Sequence, residues 1–207
     1  LPNTKLSLPA LTKKDINDAK FIFENNFDWI ALSFVRTKND IQDLLKLMNK
    51  NLDYKIPIIA KIEKPEAINN IEEIIKFSDG LMVARGDLGI EIPAEEVPLI
   101  QKELVIKSKK SKIPIIIATQ MMESMIGNLS PSRAEVNDVA NSVMDGADAV
   151  MLSGETSVGN YPVEVVRSMT SIIKKVEDSN LIKIPQSFSN EITKRYITNS
   201  ICFNAAK

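Results

Sequence analysis

In Ile56-Pro57-Ile58-Ile59-Ala60-Lys61-Ile62-Glu63, an apolar, β-branched run ends in two charged residues set two apart. Near-continuous hydrophobicity predicts a strand buried on both faces, as in a parallel sheet covered by helices. Pro57 stands at its start, where a missing N–H costs least. Lys61 and Glu63 share one face of that strand, because strand side chains alternate. Runs of the same kind lie at 29–35, 81–85, 113–119 and 149–153, separated by segments of helical spacing. The alternation predicts βα units and a parallel sheet.

Helix signals fill the intervals. Thr12-x-x-Asp15 and Ser132-x-x-Glu135 have the pattern of capping boxes, and Pro65 takes the first position of a helix expected over 66–77. Ile100 and Leu104 lead a further helix into Lys107-Ser108-Lys109-Lys110-Ser111-Lys112, a cluster that complements a helix C-terminus and stays in water. Residues 161–177 read as another helix and the polar stretch 178–189 as a linker. Beyond it Ile192, Ile197, Ile201 and Ala205 share one helical face, as the first helix of another domain would.

Composition narrows the chemistry. The 207 residues are 44% hydrophobic, enough to fill a core, and 26 Lys+Arg against 27 Asp+Glu leave a net charge of −1. No basic field is present to hold nucleic acid. With no histidine and one cysteine, Cys202, the chain cannot carry Ser-His-Asp, Cys-His or His-ligated zinc chemistry, nor an internal disulfide. A single thiol fits a reducing compartment, so a cytoplasmic location is expected. No run approaches the roughly 18 apolar residues of a membrane span. The opening Leu1-Pro2-Asn3-Thr4-Lys5 is neither a signal n-region nor an initiating Met, so the chain is expected to be part of something longer.

The polar residues gather where the strands end: Lys61 and Glu63, Arg85 and Asp87, Thr119, then Ser153 and Glu155. In doubly wound sheets and (β/α)8 barrels alike, ligands bind at the carboxyl ends of the strands. One such pair alone would be an ordinary ion pair; three pairs and a threonine, at four strand ends in one topological position, mark a candidate site. Glu63 and Asp87 offer hard oxygen ligands, too few to cage calcium but suited to Mg²⁺ or Mn²⁺. Lys61 beside them would clamp phosphoryl or enolate charge. Gly86 and Gly89 allow close backbone approach, and the turn they form can aim N–H groups at a carboxylate. Neither a P-loop nor a G-x-G-x-x-G fingerprint is present.

Five motifs, in order and spacing, resemble the pyruvate kinase family: Ala60-Lys61-Ile62-Glu63, Met82-Val83-Ala84-Arg85-Gly86-Asp87-Leu88-Gly89, Ala118-Thr119-Gln120-Met121-Met122-Glu123-Ser124-Met125, Arg133-Ala134-Glu135-Val136-Asn137-Asp138-Val139-Ala140-Asn141 and Met151-Leu152-Ser153-Gly154-Glu155-Thr156. The resemblance covers essentially the whole chain. It implies an α/β fold, a partial (β/α)8 barrel of roughly strands 4 to 8 over residues 1–178, with 179–207 as linker and first helix of a C-terminal domain. The implied activity is phosphoryl transfer from phosphoenolpyruvate to ADP, giving pyruvate and ATP in glycolysis, with Mg²⁺ or Mn²⁺ and, in the full-length protein, K⁺. Homo-oligomerisation as a tetramer is also implied. Lys61 matches the transition-state lysine, and Glu63 and Asp87 match the metal carboxylates. Gly86 and Asp87 match the N–H donors to the substrate carboxylate. Thr119 matches the threonine near the carbon to be protonated. Arg85, a substrate-site residue, and Gln120 match supporting positions, and Ser153 and Glu155 match part of a proton relay. Ser157-Val158-Gly159 stands where Ala-Lys-Gly is frequent in the family.

By the same resemblance, the family's first three strands, with a phosphate-binding arginine and potassium ligands, lie outside this chain, as do the lid domain and most of the C-terminal domain. Two other readings compete. A metal-dependent aldolase or lyase acting on pyruvate enolate could use the same Glu63/Asp87 pair, though the motifs at Thr119 and Ser153 argue against it. A non-catalytic, self-associating fragment is the other.

Overall fold

The computed structural model describes residues 11–179 and Ile201. Beyond Ser179 the expected linker and following helix lie outside the described residues, Ile201 excepted. Five strands form one sheet: β1 (Ile30–Leu32), β2 (Ile58–Ile62), β3 (Gly80–Ala84), β4 (Ile115–Ala118) and β5 (Ala149–Met151). Their order is β1-β2-β3-β4-β5 and every pairing is parallel. Sequential order separates a barrel segment from a doubly wound sheet, whose order reverses at a switch point. All five carboxyl ends therefore lie on one rim. The chain is α/β, part of a (β/α)8 barrel.

Nine α-helices accompany the sheet among the described residues: α1 (Lys13–Glu24), α2 (Lys38–Asn51), α3 (Pro65–Asn69), α4 (Ile71–Phe77), α5 (Arg85–Glu91), α6 (Val97–Ser111), α7 (Arg133–Asp145), α8 (Gly154–Ser157) and α9 (Pro162–Glu177). Both expected capping boxes close. Thr12 and Asp15 hold the start of α1, and Ser132 and Glu135 that of α7. The single helix expected over 66–77 is instead two, broken at Asn70, whose side-chain amide donates to the carbonyls of Glu66 (2.9 Å) and Arg36 (3.1 Å). An Asn side chain that competes for backbone acceptors interrupts a helix in this way.

Burial corrects a second expectation. β3 is buried at every position, but β2 alternates: Ile58, Ala60 and Ile62 are inaccessible, whereas Ile59 and Lys61 are half-buried. The covered face joins one core with Ile41, Leu44 and Met48 of α2 and Ile71 and Ile74 of α4. The other face is the one that a closed barrel fills with layers of its own side chains. Nor do the lysines ending α6 all stand free in water. Lys107 pairs with Glu72 of α4, and Lys109 with Asp148, at 2.6 Å, just before β5.

Candidate active site

Lys61 leaves β2 on its half-open face, and its Nζ lies 2.6 Å from Glu63 Oε1 and 2.9 Å from Ser33 Oγ. Glu63 is 1% exposed; its second oxygen accepts the Phe34 N–H at 2.7 Å. That bond needs an unusual backbone, since Phe34 has φ 55°, a left-handed conformation costly for a bulky residue. Ser33 and Phe34, directly after β1, thus complete the setting of Lys61 and Glu63. Neither was singled out from the sequence, although both lie in the apolar run at 29–35, where Ser33 was the one polar side chain.

β3 passes directly into α5, so Arg85, expected at the end of a strand, is the first residue of a helix. The residue is 8% exposed, and its guanidinium bridges two elements. Nη1 and Nη2 each donate to Asp138 of α7 at 2.7 Å. Nε and Nη2 donate to the Thr119 carbonyl at 3.2 and 2.9 Å, and Nη2 to the Gln120 carbonyl at 3.0 Å. Thr119 and Gln120 are both left-handed, with φ 67° and 54°. The turn brings Thr119 Oγ1 to the Gly86 N–H, which donates to it at 2.7 Å, while the hydroxyl donates to the Ala118 carbonyl at 2.6 Å. A Cβ at Gly86 would stand 3.3 Å from that hydroxyl, so glycine gives the close approach.

At the last strand, Glu155 is 3% exposed and accepts the Ser153 N–H at 2.7 Å and the Met122 N–H at 3.3 Å. It ties the start of α8 to the loop after β4. Gly159 packs against it so closely that a Cβ there would lie 2.2 Å from the Glu155 carbonyl oxygen. Asp87, in the first turn of α5, is exposed.

No group of three or more His, Cys, Asp or Glu among the described residues could hold a metal by itself. Glu63, just past β2, and Asp87, in the first turn of α5 after the adjacent strand, are two carboxylates that could hold an ion together with substrate. That suits Mg²⁺, which is held by one or two carboxylates and completed by water and substrate oxygens. The structure thus gathers Lys61 with Glu63, and Gly86 with Thr119 and Arg85, in two direct hydrogen-bonded groups. Ser153 and Glu155 join through the Met122 loop.

Residues 1–166 match the family model described as pyruvate kinase, barrel domain. The chain belongs to the pyruvate kinase family. A pyruvate kinase of Mycobacterium intracellulare is 51% identical over 185 residues, 89% of this chain and 39% of the relative. One from Bacillus licheniformis is 49% identical over 202 residues, 97% of this chain and 34% of the relative. One from Staphylococcus saprophyticus is 46% identical over 206 residues, with 100% of this chain and 35% of the relative covered. The chain therefore spans between 34% and 39% of the length of these relatives. No helix among the described residues is long and apolar enough to cross a membrane. Asp138 lies within the Arg133 to Asn141 motif that carried part of the resemblance, yet its partnership with Arg85 spans 53 positions and has no local signal.

Proposed function

We propose that the protein carrying this chain transfers the phosphoryl group of phosphoenolpyruvate to ADP, giving pyruvate and ATP. The observation that carries this reading is the Lys61 ammonium, on a side chain 24% exposed, held 2.6 Å from Glu63 at the end of β2. As the phosphoryl group departs, charge spreads over its oxygens and the enolate oxygen left behind. A cation already fixed in place lowers the energy of that state without reorganising. Mg²⁺ or Mn²⁺, held by Glu63 and Asp87, would supply a further positive charge to the phosphoryl oxygens.

The substrate carboxylate takes the N–H groups of Gly86 and Asp87. At Gly86 it replaces the Thr119 hydroxyl, which is then free to turn toward the carbon to be protonated. Arg85 serves the substrate through the Thr119 and Gln120 carbonyls it holds. Ser153 and Glu155 belong to the path that delivers a proton through water to the enolate carbon, completing the methyl group of pyruvate. K⁺ joins through side chains that this chain does not include. A cytoplasmic glycolytic homo-oligomer, a tetramer, accords with this reading.

Incubating the complete gene product with phosphoenolpyruvate, ADP, Mg²⁺ and K⁺ tests it. Pyruvate and ATP are expected in equal amounts. In a parallel incubation of pyruvate with an aldehyde and Mg²⁺, formation of a hydroxy-oxo acid would instead establish an aldolase or lyase, and neither reaction would overturn both enzymatic readings.

A further inference from the structure

Asp138 has no part in the reaction above, yet it grips one edge of a buried guanidinium whose other edge holds two strained residues. Its oxygens each take a hydrogen bond from Arg85 at 2.7 Å. On the opposite edge Arg85 donates to the carbonyls of Thr119 and Gln120, which are consecutive, left-handed and not glycine. For L residues, and above all a β-branched threonine, such a turn persists only when its surroundings over-determine it. A planar fork of five donors can satisfy a carboxylate and two carbonyls together, which an ammonium cannot.

We propose that Asp138 is a positioning residue: by fixing Arg85 it holds the Thr119–Gln120 turn left-handed, and so sets where the Thr119 hydroxyl stands against the Gly86 N–H. The helix that carries Asp138 is itself anchored at its start by Ser132 and Glu135. The placement of α7 is in this way transmitted across the rim to Thr119. The inference rests on the reading of Thr119 as a substrate-contacting residue, but its structural half does not.

The test is a double-mutant cycle in the complete gene product, pairing Asp138→Asn with Gln120→Gly. Glycine adopts φ near 54° without strain, so a turn containing it depends less on the guanidinium. In the native background Asp138→Asn is expected to lower kcat about a hundredfold, the scale of an ångström-sized misplacement. The KM for phosphoenolpyruvate should change far less. In the Gln120→Gly background the same substitution should lower kcat less than about tenfold, which is the coupling expected of a shared turn. Equal losses in both backgrounds would overturn the proposal. Should Asp138→Asn fail to fold, Asp138→Glu keeps the charge but displaces it by one methylene, and the same background dependence is expected. The Thr119 methyl resonance provides a readout that needs no catalysis. It should shift in Asp138→Asn and return toward its native position in the double variant. An unmoved resonance overturns the positioning role even in an active enzyme. A moved resonance in a protein that forms no ATP upholds the positioning role and overturns only the proposed reaction.

Discussion

Lys61 on β2 and Glu63 just past it sit two residues apart, and one hydrogen bond each with Ser33 and Phe34 turns that proximity into a fixed geometry. Lys61 donates to Ser33, and Phe34 donates to Glu63, so neither charge relies on the other alone. On the proposed reaction, replacing Lys61 with Met in the complete gene product removes a cation that acts mainly on the transition state. We expect kcat to fall by about a thousandfold or more, while phosphoenolpyruvate binding weakens by less than about tenfold. Steady-state kinetics beside equilibrium titration would decide, and a defect confined to KM would contradict the assignment. Asp87 differs in being exposed, so Asp87→Asn should leave stability within about 0.5 kcal/mol of the native protein. Its effect should appear in the Mg²⁺ titration of turnover, shifted to at least about tenfold higher metal. An unshifted titration would remove Asp87 from the metal set.

At the scale of elements, the start of α7 is anchored by a single carboxylate. Glu135 accepts from the Ser124 N–H (2.7 Å), the Ser124 hydroxyl (2.5 Å) and the Ser132 N–H (2.7 Å), so it caps its own helix and pins the 3-10 turn Glu123–Ile126 to it. Burial opposes its ionisation, but the hydrogen bonds from Ser124 and Ser132 outweigh that and hold the carboxyl below the ordinary glutamate range. A carboxyl lowered on folding stabilises the protein above its unfolded pKa, about 4.3, and that contribution is lost as pH falls through the folded value. Glu135→Gln is therefore expected to cost about 1–2 kcal/mol at pH 7. The difference from the native protein should narrow as pH drops below about 4. Urea unfolding at both pH values checks this, and a difference independent of pH would show that the charge is not involved. Asn70 and Arg85 act at the same scale, one breaking a helix and the other starting one where a strand was expected.

Across the whole molecule, five parallel strands leave β1 and β5 with one paired neighbour each among the described residues, whereas a closed barrel has eight strands and no edge. Phe21 on α1, and Phe27 and Trp29 before β1, are exposed at one side, and Val163 and Val166 on α9 at the other. The 207-residue chain by itself is expected to associate into dimers or larger species in light scattering, and to show no turnover in a coupled assay free of longer protein. A stable monomer, or turnover proportional to chain concentration, would contradict the respective expectations. The sequence alone determined the five strands, both tested capping boxes and the residues that gather at the rim, because periodicity, capping and the two-residue alternation of a strand are settled within a few positions. Periodicity left barrel and doubly wound sheet open and the family motifs pointed to the barrel, but only the tertiary structure showed the sequential strand order, left one face of β2 half-open, twisted Phe34, Thr119 and Gln120 into left-handed backbone, and joined Arg85 to Asp138. Those outcomes depend on strand order and register, which bring together residues tens of positions apart, and no local pattern encodes that meeting.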